Sequence, residues 1–115
     1  MQLRAFMSSS APQMDPEKRR EVELLRQKMG VEERKARQWH QQYLENAMVL
    51  KELEDVGEDG AIYKMMGGVL VKQEHVEAVS NVKKRMDFIR AEELRCTESI
   101  ESLQKDASKV LGGAA

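Results

Sequence analysis

At 115 residues the chain is long enough for one domain, but 4% aromatic and 34% charged residues are poor material for a closed globular core and favour long helices. Its 19 basic and 20 acidic residues are interleaved and leave a net charge of -1, so no field of one sign recruits nucleic acid or a membrane surface. The single cysteine, Cys96, excludes an internal disulfide framework and suits a reducing compartment, and no apolar run approaches the roughly 18 residues that a membrane span requires.

Residues 1–14 show no periodicity and read as a disordered N-terminal tail, with residues 15–115 as a single domain. Order is expected from Asp15-Pro16-Glu17: an N-cap, a proline at the first helical position where its missing N–H costs nothing, and an acid in the first turn. A helix over about 16–56 follows, because Val22, Leu25, Met29, Glu32, Ala36, Trp39, Tyr43, Asn46, Leu50 and Leu53 recur at steps of three and four, a heptad seam with polar entries. Gly57-Glu58-Asp59-Gly60 ends it.

The stretch from Ile62 to Lys72 is the one strand signal. Ile62, Tyr63, Met65 and Met66 precede Gly67-Gly68, and Val69, Leu70 and Val71 follow, which predicts a two-residue hairpin over about 61–72. Pairing across the turn sets Met66 opposite Val69, Met65 opposite Leu70, Lys64 opposite Val71 and Tyr63 opposite Lys72, leaving both faces largely apolar. A lone hairpin that is apolar on both sides is marginal in water and carries two open edges, so other chains are expected to complete it.

A second helix over about 73–111 is predicted from the seam Val79, Val82, Met86, Ile89, Glu93, Cys96, Ile100, Leu103, Ala107 and Val110, with Gly112-Gly113 as its stop. Folded antiparallel about the hairpin, the two seams match layer by layer, from Leu53 with Val79 through Tyr43 with Ile89 and Ala36 with Cys96 to Val22 with Val110. The expected fold is thus mainly α, a long antiparallel two-helix coiled coil with a central β-hairpin at its closed end. At 1.5 Å per residue its arms reach about 60 Å. Asn46, opposite Met86, is the candidate register-setting polar residue.

Catalysis has little footing. His40 and His75 lack Cys, Asp or Glu partners at metal-ligand or triad spacing and read as surface histidines, Cys96 falls on the seam, and the glycines form no phosphate loop. No enzyme, cofactor or metal is therefore expected. The basic runs Lys18-Arg19-Arg20 and Lys83-Lys84-Arg85 are diluted by Glu17, Glu21 and Asp87 and read as solvated helix faces.

The stretch Ile62-Tyr63-Lys64-Met65-Met66-Gly67-Gly68-Val69-Leu70-Val71-Lys72-Gln73 resembles the hairpin signature of the β-class prefoldin family. Asn81-Val82-Lys83-Lys84-Arg85-Met86-Asp87-Phe88-Ile89, with Arg95-Cys96 and Glu98 beyond it, is similar to the second helix of the subunit 6 branch, and Glu45-Asn46-Ala47-Met48-Val49 with Glu52-Leu53 is similar to the end of the family's first helix. Gly67-Gly68-Val69-Leu70-Val71 departs toward the subunit 2 branch, which is the alternative.

The resemblance implies a cytoplasmic co-chaperone subunit that joins two α-class and three further β-class subunits in a heterohexamer. Such a complex captures unfolded proteins such as actin and tubulin without ATP and passes them to the cytosolic chaperonin. On this reading Ile62, Tyr63, Met65, Met66, Gly67, Gly68, Val69, Leu70 and Val71 form the assembly site, while Val22, Leu24, Leu25, Met29, Leu103, Val110 and Leu111 at the coil tips hold the client. No nucleic-acid or membrane partner is expected. The alternative function is a structural coiled coil that dimerises as a scaffold without chaperone activity.

Overall fold

The computed structural model describes residues 14–112. The tail expected over 1–14 lies outside them except for Met14, which packs against the side chains of Val22, Met29 and Ala107. Two helices bracket a hairpin: α1 (Pro16–Val56), β1 (Ile62–Met66), β2 (Val69–Gln73) and α2 (His75–Val110).

Local chemistry accounts for the boundaries. The Asp15 carbonyl accepts the first helical bond of α1, from the Arg19 N–H at 2.9 Å, so Asp15 occupies the N-cap ahead of Pro16. At the far end the Gly57 N–H closes back on the Leu53 carbonyl at 3.2 Å. Helix α2 starts at His75 rather than at the expected 73, because Gln73 still pairs with Ile62 in the sheet. Glu74 then takes the cap position, its carbonyl accepting from the Ala78 N–H at 3.0 Å.

The hairpin has the register that its sequence predicts: Ile62 with Gln73, Tyr63 with Lys72, Lys64 with Val71, Met65 with Leu70 and Met66 with Val69. Its turn is made possible by Gly67 and Gly68, at φ 55° and 82°; two successive residues with positive φ give the twist that matches antiparallel strands.

Every predicted seam position is buried or half-buried. Backbone contacts divide the chain into two compact units. One comprises the start of α1, up to Arg37, and the end of α2, from Leu94. In it Val22, Met29 and Ala107 form a closed cluster on which Leu25, Leu103, Val110 and Leu111 pack, the neighbours that an antiparallel seam requires. Cys96 is buried in the same unit.

The other unit, Gln38–Glu93, holds the hairpin and the helical segments that flank it. Its deepest residue is Ile89, 2% exposed, with Val82 and Ala78 also buried. The Trp39 and Phe88 rings meet edge to face, centroids 5.9 Å apart, and the Arg90 guanidinium lies 3.5 Å over the Tyr43 ring. His40 pairs with Glu93 at 3.2 Å and Arg85 donates to the Asn46 side-chain oxygen at 3.3 Å. Each of these polar pairs falls within one residue of a predicted facing layer. Ala78 departs from expectation: it lies beside the seam, yet it is more enclosed than its neighbour Val79, which is half-buried.

Candidate functional site

The hairpin concentrates apolar surface in water. Strand alternation puts Tyr63, Met65 and Leu70 on one face and Met66, Val69 and Val71 on the other, with Lys64 and Lys72 interspersed. Tyr63, Met65, Met66, Val69, Leu70 and Val71 are all exposed, Met65 by 65%, while Ile62 is half-buried. A two-stranded sheet also leaves a row of backbone donors and acceptors open on each outer edge. Apolar faces and open edges in one short segment are the physical requirements for adding strands from elsewhere.

The base of the hairpin is held by side chain and backbone together. The His75 Nε2–H donates to the Leu53 carbonyl at 2.7 Å; a carbonyl only accepts, so Nε2 carries the proton. This half-buried histidine corrects the expectation of a surface residue. Gly60, in the connection to β1, sits so close to Val56 that a Cβ there would overlap the valine side chain.

The candidate client residues divide by environment. Val22 and Met29 are closed off, at 0% and 4% exposed, and Leu25, Leu103, Val110 and Leu111 pack against them. Leu24 alone of the seven points outward, 52% exposed. Burial thus brings six of them into one core and separates Leu24 from it. Exposed apolar side chains that the seam did not single out include Leu44, Met48, Val49, Phe88 and Leu94. Leu44 and Met48 are four residues apart, a spacing that marks a second helix face in the sequence itself.

The electrostatics are those of surface pairs. Arg26 bonds Glu23 through both carboxylate oxygens, at 2.6 and 2.9 Å, and this hydrogen bond holds the Glu23 carboxyl below the ordinary range while raising Arg26. Arg90 is raised chiefly by its 2.6 Å hydrogen bond to Glu93. Among the described residues no three His, Cys, Asp or Glu side chains gather as a metal site, and no helix is long and apolar enough to cross a membrane.

Two long helices joined through an exposed two-stranded hairpin define the class: a mainly helical protein whose small sheet is its connecting element. Residues 17–111 match the family model described as "Prefoldin subunit", and the chain belongs to that family.

Among characterised relatives it is similar to the probable prefoldin subunit 6 of Drosophila melanogaster, 45% identical over 65 residues that cover 56% of this chain and 52% of that protein. Prefoldin subunit 6 of Arabidopsis thaliana is 44% identical over 61 residues, covering 53% and 47%. Prefoldin subunit 6 of Saccharomyces cerevisiae is 39% identical over 69 residues, covering 60% of each. The chain spans about half the length of these curated relatives. The fold matches the crystal structure of the prefoldin beta subunit from Thermococcus strain KS-1 with a TM-score of 0.78, at 16% identity, over 87% of this chain and 90% of that one.

Proposed function

We propose that this chain is a β-class subunit of a prefoldin co-chaperone, a non-enzymatic protein that binds its neighbours through the hairpin and non-native clients through its helices. The observation that carries the reading is the hairpin: Tyr63, Met65 and Leu70 on one face, Met66, Val69 and Val71 on the other, all exposed. Ile62, Gly67 and Gly68 complete this assembly surface by anchoring its base and forming its turn. A scaffold coiled coil that only dimerised through its helices would have no use for a short sheet of this composition.

The partners proposed are two α-class and three further β-class subunits. The clients are unfolded chains, actin and tubulin among them, held without ATP and handed to the cytosolic chaperonin. Leu24 is the leading client contact; Leu25, Leu103, Val110 and Leu111, half-buried near the helix ends, join as those ends fray, whereas Val22 and Met29 serve first as core. Weak contacts from several subunits add by avidity, so no single residue need bind tightly. A cytoplasmic location accords with a single cysteine in the sequence, Cys96, which is buried and in no disulfide.

Mixing the chain with α-class and β-class prefoldin subunits tests the reading. A discrete hexamer by light scattering, able to delay aggregation of unfolded actin, is expected; a homodimer indifferent to those subunits would support the scaffold reading instead.

A further inference from the structure

Beside the hairpin, within the unit Gln38–Glu93, lies an open groove of about 360 Å³. Its floor is apolar, with Leu53, Ile62 and Val82 contributed by α1, β1 and α2. Its charged lining residues are Lys64 and Arg85, and no Asp or Glu lines it. Both cations are exposed, and Arg85 is steadied by its bond to the Asn46 side chain. In a chain whose charges otherwise balance almost one for one, a groove with two cations and no carboxylate is selective for an acidic occupant.

We propose that this groove receives an acidic segment of a neighbouring subunit in the assembly: a carboxylate-bearing stretch whose aliphatic side chain fills the floor while its acids meet Lys64 and Arg85. The inference rests on the assembly reading above and adds to it a second, electrostatic contact beside the apolar hairpin. The groove is continuous with that hairpin, since Ile62, Lys64 and Met65 belong to both. Apolar burial in the hairpin supplies the bulk of the attraction, and the charge pair selects which neighbour sits on this side and in what register.

The test uses the full chain assembled with α-class and β-class prefoldin subunits over a series of salt concentrations. The variant Lys64→Glu with Arg85→Glu is compared with Lys83→Glu with Lys84→Glu, the same charge change outside the groove. The neutral pair Lys64→Gln with Arg85→Gln is measured beside them, which separates lost attraction from new repulsion, and circular dichroism follows helix content in each. Expected are a rise of about tenfold in the concentration for half-assembly with a flatter salt dependence for the neutral groove variant, a larger rise that added salt relieves for the charge-reversed one, and a Lys83/Lys84 variant within about twofold of wild type. Groove variants that assemble as wild type does overturn the groove while leaving the assembly reading intact. Loss of actin capture with assembly unchanged would make the occupant a client and overturns it equally. A wild-type chain that joins no assembly removes both readings.

Discussion

His75 reaches from the first turn of α2 to the Leu53 carbonyl in the last turn of α1, a 2.7 Å bond that ties the two helices together where the hairpin leaves them. The same carbonyl also accepts the Gly57 N–H at 3.2 Å, so both of its lone pairs are used and one of the last four carbonyls of α1 is satisfied without water. Replacing His75 with Ala is expected to cost about 1 kcal/mol of stability, the net worth of a hydrogen bond to a half-buried group. Thermal unfolding followed by circular dichroism reads the loss, and hydrogen exchange at the hairpin amides should quicken more than exchange around Val22 and Ala107.

The Gly67-Gly68 turn makes a sharper distinction between two substitutions. Both glycines have positive φ, but a type of turn with two such residues accepts Asn readily at its first position and resists a Cβ with no polar compensation at its second. Gly67→Asn should therefore be nearly neutral, whereas Gly68→Ala should weaken the hairpin by about 1 kcal/mol. Amide exchange of Met66 and Val69 is the measurement, and equal effects of the two changes would refute the turn assignment.

Glu93 occupies a core-facing seam position and is satisfied there by Arg90 at 2.6 Å and His40 at 3.2 Å. Both partner side chains are about half exposed, so removing the carboxylate strands no buried charge. Glu93→Leu should then range from neutral to about 2 kcal/mol stabilising, because a polar pair gives way to apolar burial. A lower melting temperature would mean that the Glu93 layer contributes more than its pairing implies.

Leu24 and Val22 lie two residues apart, the first exposed and proposed as a client contact, the second enclosed in the core. Val22→Ala should destabilise the coil by about 2 kcal/mol, since the residue is wholly enclosed beside Met29 and Ala107. Leu24→Ser should change stability by less than about 0.5 kcal/mol and yet reduce the delay of actin aggregation. Unchanged delay by an intact assembly would remove Leu24 from the client surface.

The Glu23–Arg26 pair gives a pH signature. Arg26 holds the Glu23 carboxyl below its ordinary value, so the stability that the pair contributes is present above the unfolded-state pKa of about 4.3 and is lost as pH falls through the lower folded value. Carboxyl NMR titration should find Glu23 protonating in more acid solution than a free glutamate, and Arg26→Gln should return it toward the ordinary range.

Much of this fold was legible because it depends on spacing. The three-and-four rhythm from Val22 to Leu53 and from Val79 to Val110 needs no knowledge of side-chain direction, and the hairpin register follows from Gly67-Gly68 alone. What escaped depends on rotamers and backbone partners. No periodicity announces that the His75 ring will find a carbonyl twenty-two residues earlier, or that Arg90 will fold over Tyr43 while also holding Glu93. Ala78 was missed because its burial comes from outside the helical seam, beside Ile62 and Leu53 at the groove. Among the apolar residues near the helix ends the seam already includes Val22 and leaves out Leu24; grouping both as client residues overlooked that phase, which makes one enclosed and the other exposed.

The central claim is that the hairpin is the surface by which this chain joins others, and Met65 and Leu70 test it most directly: they are paired across the strands, on one face, and exposed by 65% and 62%. Met65→Asp with Leu70→Asp leaves the helical seams untouched, so the helix content of the chain should persist. Mass measurement by light scattering after mixing with α-class and β-class prefoldin subunits should then find wild type in a hexamer and the variant left outside it. A variant that enters the hexamer as wild type does, at the same concentration, would contradict the account.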